Sequence, residues 1–162
     1  MLFKTRRLGQ EDALHGEAVA MLERLVPRAW ERMRELGVPV EGVIAAVMPH
    51  PTGETRIIGA SMVVRLDGED GMRGGSGLVV GPVVDEQLRR MGVGRRLLTE
   101  IEREGFGSRR FAELHARVPE ASVAFLESLG WARVECEGIP EGLCDLVLRV
   151  EGETGSSDVG GE

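Results

Sequence analysis

Three segments rich in valine and isoleucine follow one another within the first 84 residues, and they constrain the fold more than any other feature. They cover residues 43–48, 55–66 and 78–84. Their β-branched composition predicts strands. Turn-forming residues separate them, namely a proline-rich cluster at 49–53 and five glycines at 67–77 that we expect to form a mobile loop. The pair Gly81 and Pro82 inside the third segment predicts a bulge or an edge, since proline cannot donate to a strand ladder.

Segments with apolar residues at helical spacing lie on both sides of this strand group. Between residues 11 and 36, apolar residues recur every three or four positions, and Pro27 divides the stretch into two predicted helices. Two further amphipathic helices are predicted at 95–104 and at 122–129. Gly130 is expected to end the second of these.

The remaining predicted strands are short. They cover residues 2–6, 111–118, 131–135 and 143–150, and the last two read as a closing antiparallel pair. The element order is strand, two helices, three strands, helix, strand, helix, two strands. This order indicates one mixed α/β domain over residues 1–150 rather than an alternating doubly wound sheet. The mostly Gly, Ser, Glu and Asp composition of 151–162 is typical of a disordered tail.

Composition and charge narrow the class of protein. A net charge of −7 argues against general nucleic-acid binding and suits a cationic partner such as an amine. No apolar run approaches the roughly 20 residues that span a bilayer, and the first residues do not resemble a secretory signal, so we expect a cytoplasmic protein without a membrane partner. The two cysteines, Cys136 and Cys144, are expected to be buried thiols. Without a Cys-x-x-Cys or histidine cluster, we expect no metal site.

A glycine-containing turn at residues 89–94 (RRMGVG) lies between the valine-rich strand at 78–84 and the helix at 95–104. Gly92 and Gly94 allow the backbone to approach a ligand closely, because they have no Cβ. The N–H groups and the dipole of the following helix favour an anion, and the neighbouring arginines add full charges. The turn lacks the third glycine of a dinucleotide fingerprint and the Gly-Lys-Ser/Thr ending of a nucleoside triphosphate loop. It therefore predicts a pyrophosphate site of another kind.

A basic-x-x-Gly-x-Gly turn between a valine strand and a helix resembles the acyl-CoA signature of the GNAT N-acetyltransferases. Downstream, residues 114–118 (LHARV) and 124–131 (AFLESLGW) are similar to the fifth strand and fourth helix of the family, with its Leu-Gly-aromatic ending. The Leu-His-Ala-Arg string and residues 137–140 (EGIP) resemble a bacterial branch with few assigned substrates. The resemblance is most specific over residues 78–140.

The resemblance implies a mixed, mostly antiparallel central sheet flanked by helices. It also implies that the fourth and fifth strands are splayed, with the pantetheine of acetyl-CoA, the co-substrate, in the gap. The thioester end would meet the backbone of Val84, with Val83 beside it, and the turn would hold the pyrophosphate. The implied cofactor-binding residues are Val83, Val84, Arg89, Arg90, Met91, Gly92, Val93, Gly94 and Arg95.

The sequence departs from the family at the general acid. Many members carry a tyrosine four residues before the glycine of the Leu-Gly-aromatic ending, and that position here is Leu126. Ser122, one helical turn earlier, is a candidate replacement, with a helix-start residue as the alternative reading. His115 is a candidate general base, and strand alternation places it on one face with Glu113 and Arg117. Whether that face borders the cleft or is covered stays open at this point.

Two functions fit these patterns. The first is an N-acetyltransferase that moves an acetyl group to a small-molecule or peptide amine by direct attack, with residues 23–35 lining the acceptor side. The alternative is an acyl-CoA-binding sensor or regulatory module with little catalysis, which the leucine at position 126 favours. The resemblance also makes a homodimer possible.

Overall fold

The computed structural model describes residues 3–38, 40, 42–66, 75–109, 111–135 and 137–149. Its strands are β1 (Lys4–Leu8), β2 (Val43–Pro49), β3 (Thr55–Arg65), β4 (Ser76–Val84), β5 (Glu113–Pro119), β6 (Ala132–Val134) and β7 (Leu143–Arg149). Its α-helices are α1 (His15–Leu25), α2 (Pro27–Glu35), α3 (Val93–Glu102) and α4 (Val123–Ser128). The predicted element order is confirmed. The predicted tail at 151–162 lies outside the described residues.

The strands form one sheet in the order β1-β2-β3-β4-β5-β7-β6. Every neighbouring pair is antiparallel except β4 and β5, which are parallel. These two strands pair only at their first rungs, the last of which joins Leu78 to His115. Beyond that rung β4 continues to Val84 and β5 to Pro119 without pairing to each other. The mixed, mostly antiparallel sheet with a splayed β4–β5 pair is therefore confirmed.

The glycine-proline pair in β4 forms a bulge in the interior of the sheet, so the bulge rather than the edge is the correct alternative. Ala60 of β3 pairs with Val83, whereas Met62, only two residues on, pairs with Val80. Gly81 has φ +97°, and a Cβ there would lie 3.0 Å from the carbonyl oxygen of Ala60. Only glycine accepts both conditions, so the sequence fixes the position where β4 changes direction.

Each face of the sheet has its own apolar core. Helices α1 and α2 cover one face, with Leu22, Trp30 and Met33 buried against it. Helices α3 and α4 cover the other, where Leu97 and Leu114 are buried. Strand alternation explains the division, because successive side chains of a strand point to opposite faces.

Several predicted boundaries were wrong by a few residues. Helix α3 begins at Val93 rather than at 95, because Gly92 caps it in a left-handed conformation and the N–H of Arg96 already donates to the Gly92 carbonyl, 3.0 Å away. Helix α1 begins at His15 rather than at 11, after a turn in which the Asp12 carboxylate accepts the Leu14 N–H.

Strand boundaries shift in the same way, through pairings that composition does not reveal. Strand β1 extends to Leu8, which pairs with Val43, and β4 starts at Ser76, inside the predicted loop, because Gly77 pairs with both Arg65 and Leu114. A ladder partner on either side thus converts a glycine-rich segment into strand.

Candidate active site

The predicted anion-binding turn lies at the start of α3, against the end of β4. Arg90 and Gly92 both have positive φ, 75° and 80°, and reverse the chain immediately before the helix. A Cβ on Gly92 would have no atom within 4 Å, so the space in front of the helix is open. A Cβ on Gly94 would lie 3.6 Å from Cγ2 of Val84, so the first helical turn adjoins the last residue of β4.

The surroundings of this helix start suit a phosphate group. The N–H groups of the first turn precede the repeating helical bonds and point out of the helix end. Arg89, Arg90 and Arg95 are exposed, and none of them pairs with a carboxylate of the described residues. Arg96 is different, because its Nε lies 3.4 Å from Glu100. The helix start thus presents backbone donors beside three exposed arginines, an arrangement that favours an anion.

Another glycine, Gly59 of β3, leaves room for both β4 and α3, and the sequence patterns described above did not point to it. A Cβ on Gly59 of β3 would lie 2.9 Å from the carbonyl oxygen of Val83, 3.0 Å from Leu97 and 3.1 Å from Val93. Any side chain at position 59 therefore pushes α3 away from the sheet. The sequence does contain a signal for this close approach, because a glycine inside an apolar strand often marks a place where another backbone comes near.

Val83 and Val84 end β4 where it has already separated from β5. Val83 is buried in the core under α1 and α2, whereas Val84 is half-buried and packs against the core under α3 and α4. The two residues lie on opposite faces at the open end of the gap. A chain that enters from the α3 side and passes between β4 and β5 would meet both of them.

A cleft of about 490 Å³ lies on the α1/α2 face beside this gap. One wall is α2 with the preceding residues, and the other is formed by Arg117 and Pro119 of β5 with Pro140 and Leu143. Arg117 and Pro119 follow the last β4–β5 rung, so the cleft borders the splayed part of the sheet. The expectation that residues 23–35 line the acceptor side therefore has a physical counterpart.

His115 lies on the α1/α2 face with Glu113 and Arg117, opposite Leu78 at the last β4–β5 rung, and it is not among the described residues that line the cleft. Its Nε2 is 2.8 Å from Oε2 of Glu113, and about 29% of its side chain is exposed. Glu113 also lies 3.2 Å from Nε of Arg149 and accepts a hydrogen bond from Ser76, 3.4 Å away. Burial raises the pKa of Glu113, but His115, Arg149 and Ser76 outweigh it, so the pKa lies below its usual value. Glu113 is therefore an ionised acceptor near neutral pH.

Ser122 and Leu126 occupy successive turns at the start of α4. Ser122 is half-buried and directly precedes the helix, yet its hydroxyl makes no capping hydrogen bond. Leu126 is 4% exposed and belongs to the core under α3 and α4. The family's tyrosine position is thus filled by a core side chain that cannot donate a proton.

Two further polar groups near the gap have structural partners. Asp85, directly after β4, accepts the N–H of Gln87 and lies 2.6 Å from Arg56. Arg117 donates to both carboxylate oxygens of Asp145, at 2.7 and 3.1 Å. Residue spacing carries no signal for the pair between Arg117 and Asp145, because β5 and β7 come together only in the folded sheet.

The prediction of a buried thiol at Cys144 was wrong. Cys144 is half-buried, and its Sγ donates to Oε1 of Glu120, 2.9 Å away. This hydrogen bond, burial and the charge of Glu120 raise the pKa of the thiol, which disfavours a nucleophilic thiolate. Cys136 lies outside the described residues.

Fold and geometry together define an α/β protein with an open helix start at Gly92 next to a gap between two parallel strands. The model of the acetyltransferase (GNAT) family matches residues 18–131, well over half of the chain. The chain therefore belongs to the GNAT family and is an acyltransferase by family. A comparison with the curated proteins finds no match.

Solved structures show the same fold. A GNAT family N-acetyltransferase from Escherichia coli in complex with CoA superposes with a TM-score of 0.62 at 17% identity, over 94% of this chain and 84% of that chain. A ribosomal-protein-alanine N-acetyltransferase from Brucella melitensis gives 0.57 at 18%, over 93% and 100%. An acetyltransferase of the GNAT family from Staphylococcus aureus gives 0.59 at 10%, over 91% and 100%. Identities this low establish the architecture alone.

None of the described helices combines the length and the apolar character needed to cross a bilayer.

Proposed function

We propose that this protein is an N-acetyltransferase that moves the acetyl group of acetyl-CoA to a primary amine. The observation that carries the proposal is the continuity between the open helix start at Gly92 and the gap between β4 and β5. A ligand with a pyrophosphate at one end and a thin, extended arm at the other matches both parts. The CoA in the related Escherichia coli structure supports the same ligand class.

The reaction requires no covalent enzyme intermediate. The neutral amine attacks the thioester carbonyl carbon, the C–N bond forms, and the C–S bond breaks with its electron pair going to sulfur. The nitrogen must lose a proton, and the thiolate of CoA either takes one up or leaves as the anion. Much of the rate in such a reaction can come from positioning and from backbone N–H groups that stabilise the oxyanion.

We assign the role of general base to His115. Because Glu113 is an ionised acceptor 2.8 Å away, the Nε2 of a neutral His115 ring must carry the hydrogen. Its Nδ1 then has a lone pair that can accept a proton, directly or through water. Glu113 acts as a positioning residue, since it fixes the tautomer of the ring without touching the substrate.

Ser122 is the proposed proton donor to the departing sulfur. Its hydroxyl precedes α4 without a capping hydrogen bond, so it is available for another partner. The requirement for an acid is weak, since a thiol with a pKa of about 8.5 also leaves as the thiolate near neutral pH.

A second candidate function is an acyl-CoA-binding module with little catalysis. The buried Leu126 at the family's tyrosine position favours it. Calorimetry with acetyl-CoA, followed by CoA thiol release with a panel of primary amines, separates the two functions. Binding with turnover supports the transferase, and binding without turnover on any amine supports the module. An absence of acetyl-CoA binding contradicts both.

A further inference from the structure

The cleft beside the β4–β5 gap has a charge pattern that selects among amine acceptors. Helix α2 lines it with charged residues of both signs: Arg28, Glu31, Arg32 and Glu35. Their spacing of three and four residues places them in one stripe along the helix. The stripe has no net charge, and over seven residues it is about 10 Å long, at 1.5 Å per residue.

The opposite wall of the cleft is largely apolar. Pro119, Pro140 and Leu143 contribute to it. On the α2 side, Pro27 and the exposed Leu25 just before the helix add further apolar surface. The charge of Arg117, on the wall opposite α2, is offset by Asp145. An acceptor therefore meets an apolar surface on one side and a stripe of alternating charges on the other.

The size of the cleft favours acceptors that are larger than a one- or two-carbon amine. A water molecule takes up about 30 Å³ of liquid, so 490 Å³ corresponds to roughly sixteen waters. A one- or two-carbon amine would leave most of this space hydrated. A molecule with an apolar body of several carbons would displace that water from the apolar wall.

The mixed signs exclude acceptors with charges of one sign. A polyamine that approaches Glu31 and Glu35 also meets Arg28, and a polyanionic acceptor meets both glutamates. Arg28, Glu31 and Glu35 are exposed, and none of them forms an ion pair with another described residue. Their charges are thus available to a ligand that carries one charge of each sign.

We propose that the acceptor is a zwitterion with an apolar body, namely a free apolar amino acid or a short peptide, which is bound through its carboxylate. This inference rests on the proposed acetyltransferase function. The amine would point to the β4–β5 gap, where the reaction takes place, and the apolar body would pack on Pro119 and Leu143. The carboxylate would bind the arginine side of the α2 stripe, with Arg28 as the main specificity-determining residue.

The test compares acids with their amides. Leucine, methionine and phenylalanine are each measured against the corresponding amino acid amide by CoA thiol release, with the full chain and saturating acetyl-CoA. The amino group of an amino acid amide loses its proton more readily than that of the free amino acid, so the intrinsic reactivity of the amines favours the amides. We expect the opposite order for at least one pair, with kcat/KM about 10- to 100-fold higher for the acid, as for a hydrogen bond between charged groups.

Two variants of α2 complete the experiment. Arg28→Gln should lower kcat/KM for the preferred acid about tenfold, mainly through KM, and change the amide less than about twofold. Arg34→Gln is the matched control, since Arg34 is exposed on the same helix but does not line the cleft. A dipeptide with the same first residue distinguishes an amino acid from a peptide acceptor.

The outcomes separate this inference from the function on which it rests. If acetyl-CoA does not bind, the proposed function fails and the inference with it. If amines are acetylated but every amide reacts as fast as its acid, only the zwitterion inference is wrong. Equal losses for acid and amide in Arg28→Gln would also contradict it. If no amine is acetylated, the affinities of the acid and the amide for the CoA-bound protein are measured by calorimetry. An amide that binds as tightly as its acid then contradicts the inference.

Discussion

The donor side and the acceptor side of the site are built in different ways. The donor side uses a contiguous turn, residues 89–95, whose backbone N–H groups face open space at the start of α3. The acceptor side uses side chains from α2, β5 and the segment before β7, which lie far apart in the sequence. Backbone donors serve any ligand with the same phosphate groups, whereas side chains select one acceptor. The donor side therefore indicates which co-substrate is used, and the acceptor side indicates which amine is selected.

The largest expected effect is on the donor side. Gly92→Glu places a carboxylate in front of the α3 N-terminus, where a pyrophosphate would bind, and we expect the Kd for acetyl-CoA to rise at least about 100-fold. Gly53→Glu is the matched control, because Gly53 also has positive φ, 93°, and open space around its Cβ position. Calorimetry on both variants measures the difference. Equal affinity in the two would show that the pyrophosphate does not bind at this turn.

The next effect is on catalysis at the boundary between the two sides. His115→Gln should lower kcat by about 10²-fold, the usual contribution of a general base, and leave the Kd for acetyl-CoA within about twofold. Glu113→Gln should lower kcat by less than His115→Gln does, because the ring remains but loses the ionised partner that fixes its tautomer. Unchanged kcat in His115→Gln would assign the proton transfer to another group.

A smaller effect links the two sides through packing. Gly59→Ala forces a Cβ within 2.9 Å of the Val83 carbonyl and close to α3. We expect a loss of about 1–3 kcal/mol in the free energy of unfolding, as for overpacked cores, together with weaker acetyl-CoA binding. Urea unfolding measures the first and calorimetry the second. Gly16→Ala, at a position in α1 where a Cβ meets nothing within 4 Å, should leave acetyl-CoA binding unchanged and raise the free energy of unfolding by up to about 1 kcal/mol.

The smallest effect concerns the short segment that joins β4 to the turn at residues 89–95. The Gln87 N–H lowers the pKa of Asp85 below 3.8, against an opposing contribution from burial, and Arg56 lowers it further. A depressed folded pKa stabilises the fold above the unfolded pKa, and this stabilisation is lost as the pH falls through the folded value. Asp85→Asn keeps an oxygen that can accept the Gln87 N–H but removes the charge, so it should cost about 0.5 kcal/mol near neutral pH, as for a partly exposed ion pair, and almost nothing in strong acid. Urea unfolding at both pH values would detect it, and an equal cost at both would contradict the assignment.

The conformation of the turn proposed as the donor side was predictable because its signals are local. Glycines at 92 and 94, the arginines before them and the amphipathic helix after them are consecutive, and each acts through its own backbone or charge. The irregularity at Gly81 and Pro82 was predictable for the same reason, whereas the choice between a bulge and an edge came from the strand pairing. The cytoplasmic location and the possible homodimer stay predictions.

The acceptor side was not predictable from spacing. Alternation grouped Glu113 with His115 on one face, but only the folded sheet brings Arg149 beside Glu113 and Asp145 beside Arg117. The cleft likewise depends on how α2 lies relative to the end of β5.

The sequence by itself determined the element order, the position of the irregularity in β4 and the grouping of glycines and arginines in the turn at residues 89–94. Those features depend on the conformational limits of glycine and proline and on charges that are adjacent in the chain. Only the tertiary structure decided that Leu126 is a core residue, that Gly59 seats α3, and that the stripe of charges on α2 faces a cleft. Each of these depends on contacts between residues far apart in sequence, and local propensity carries no information about such contacts.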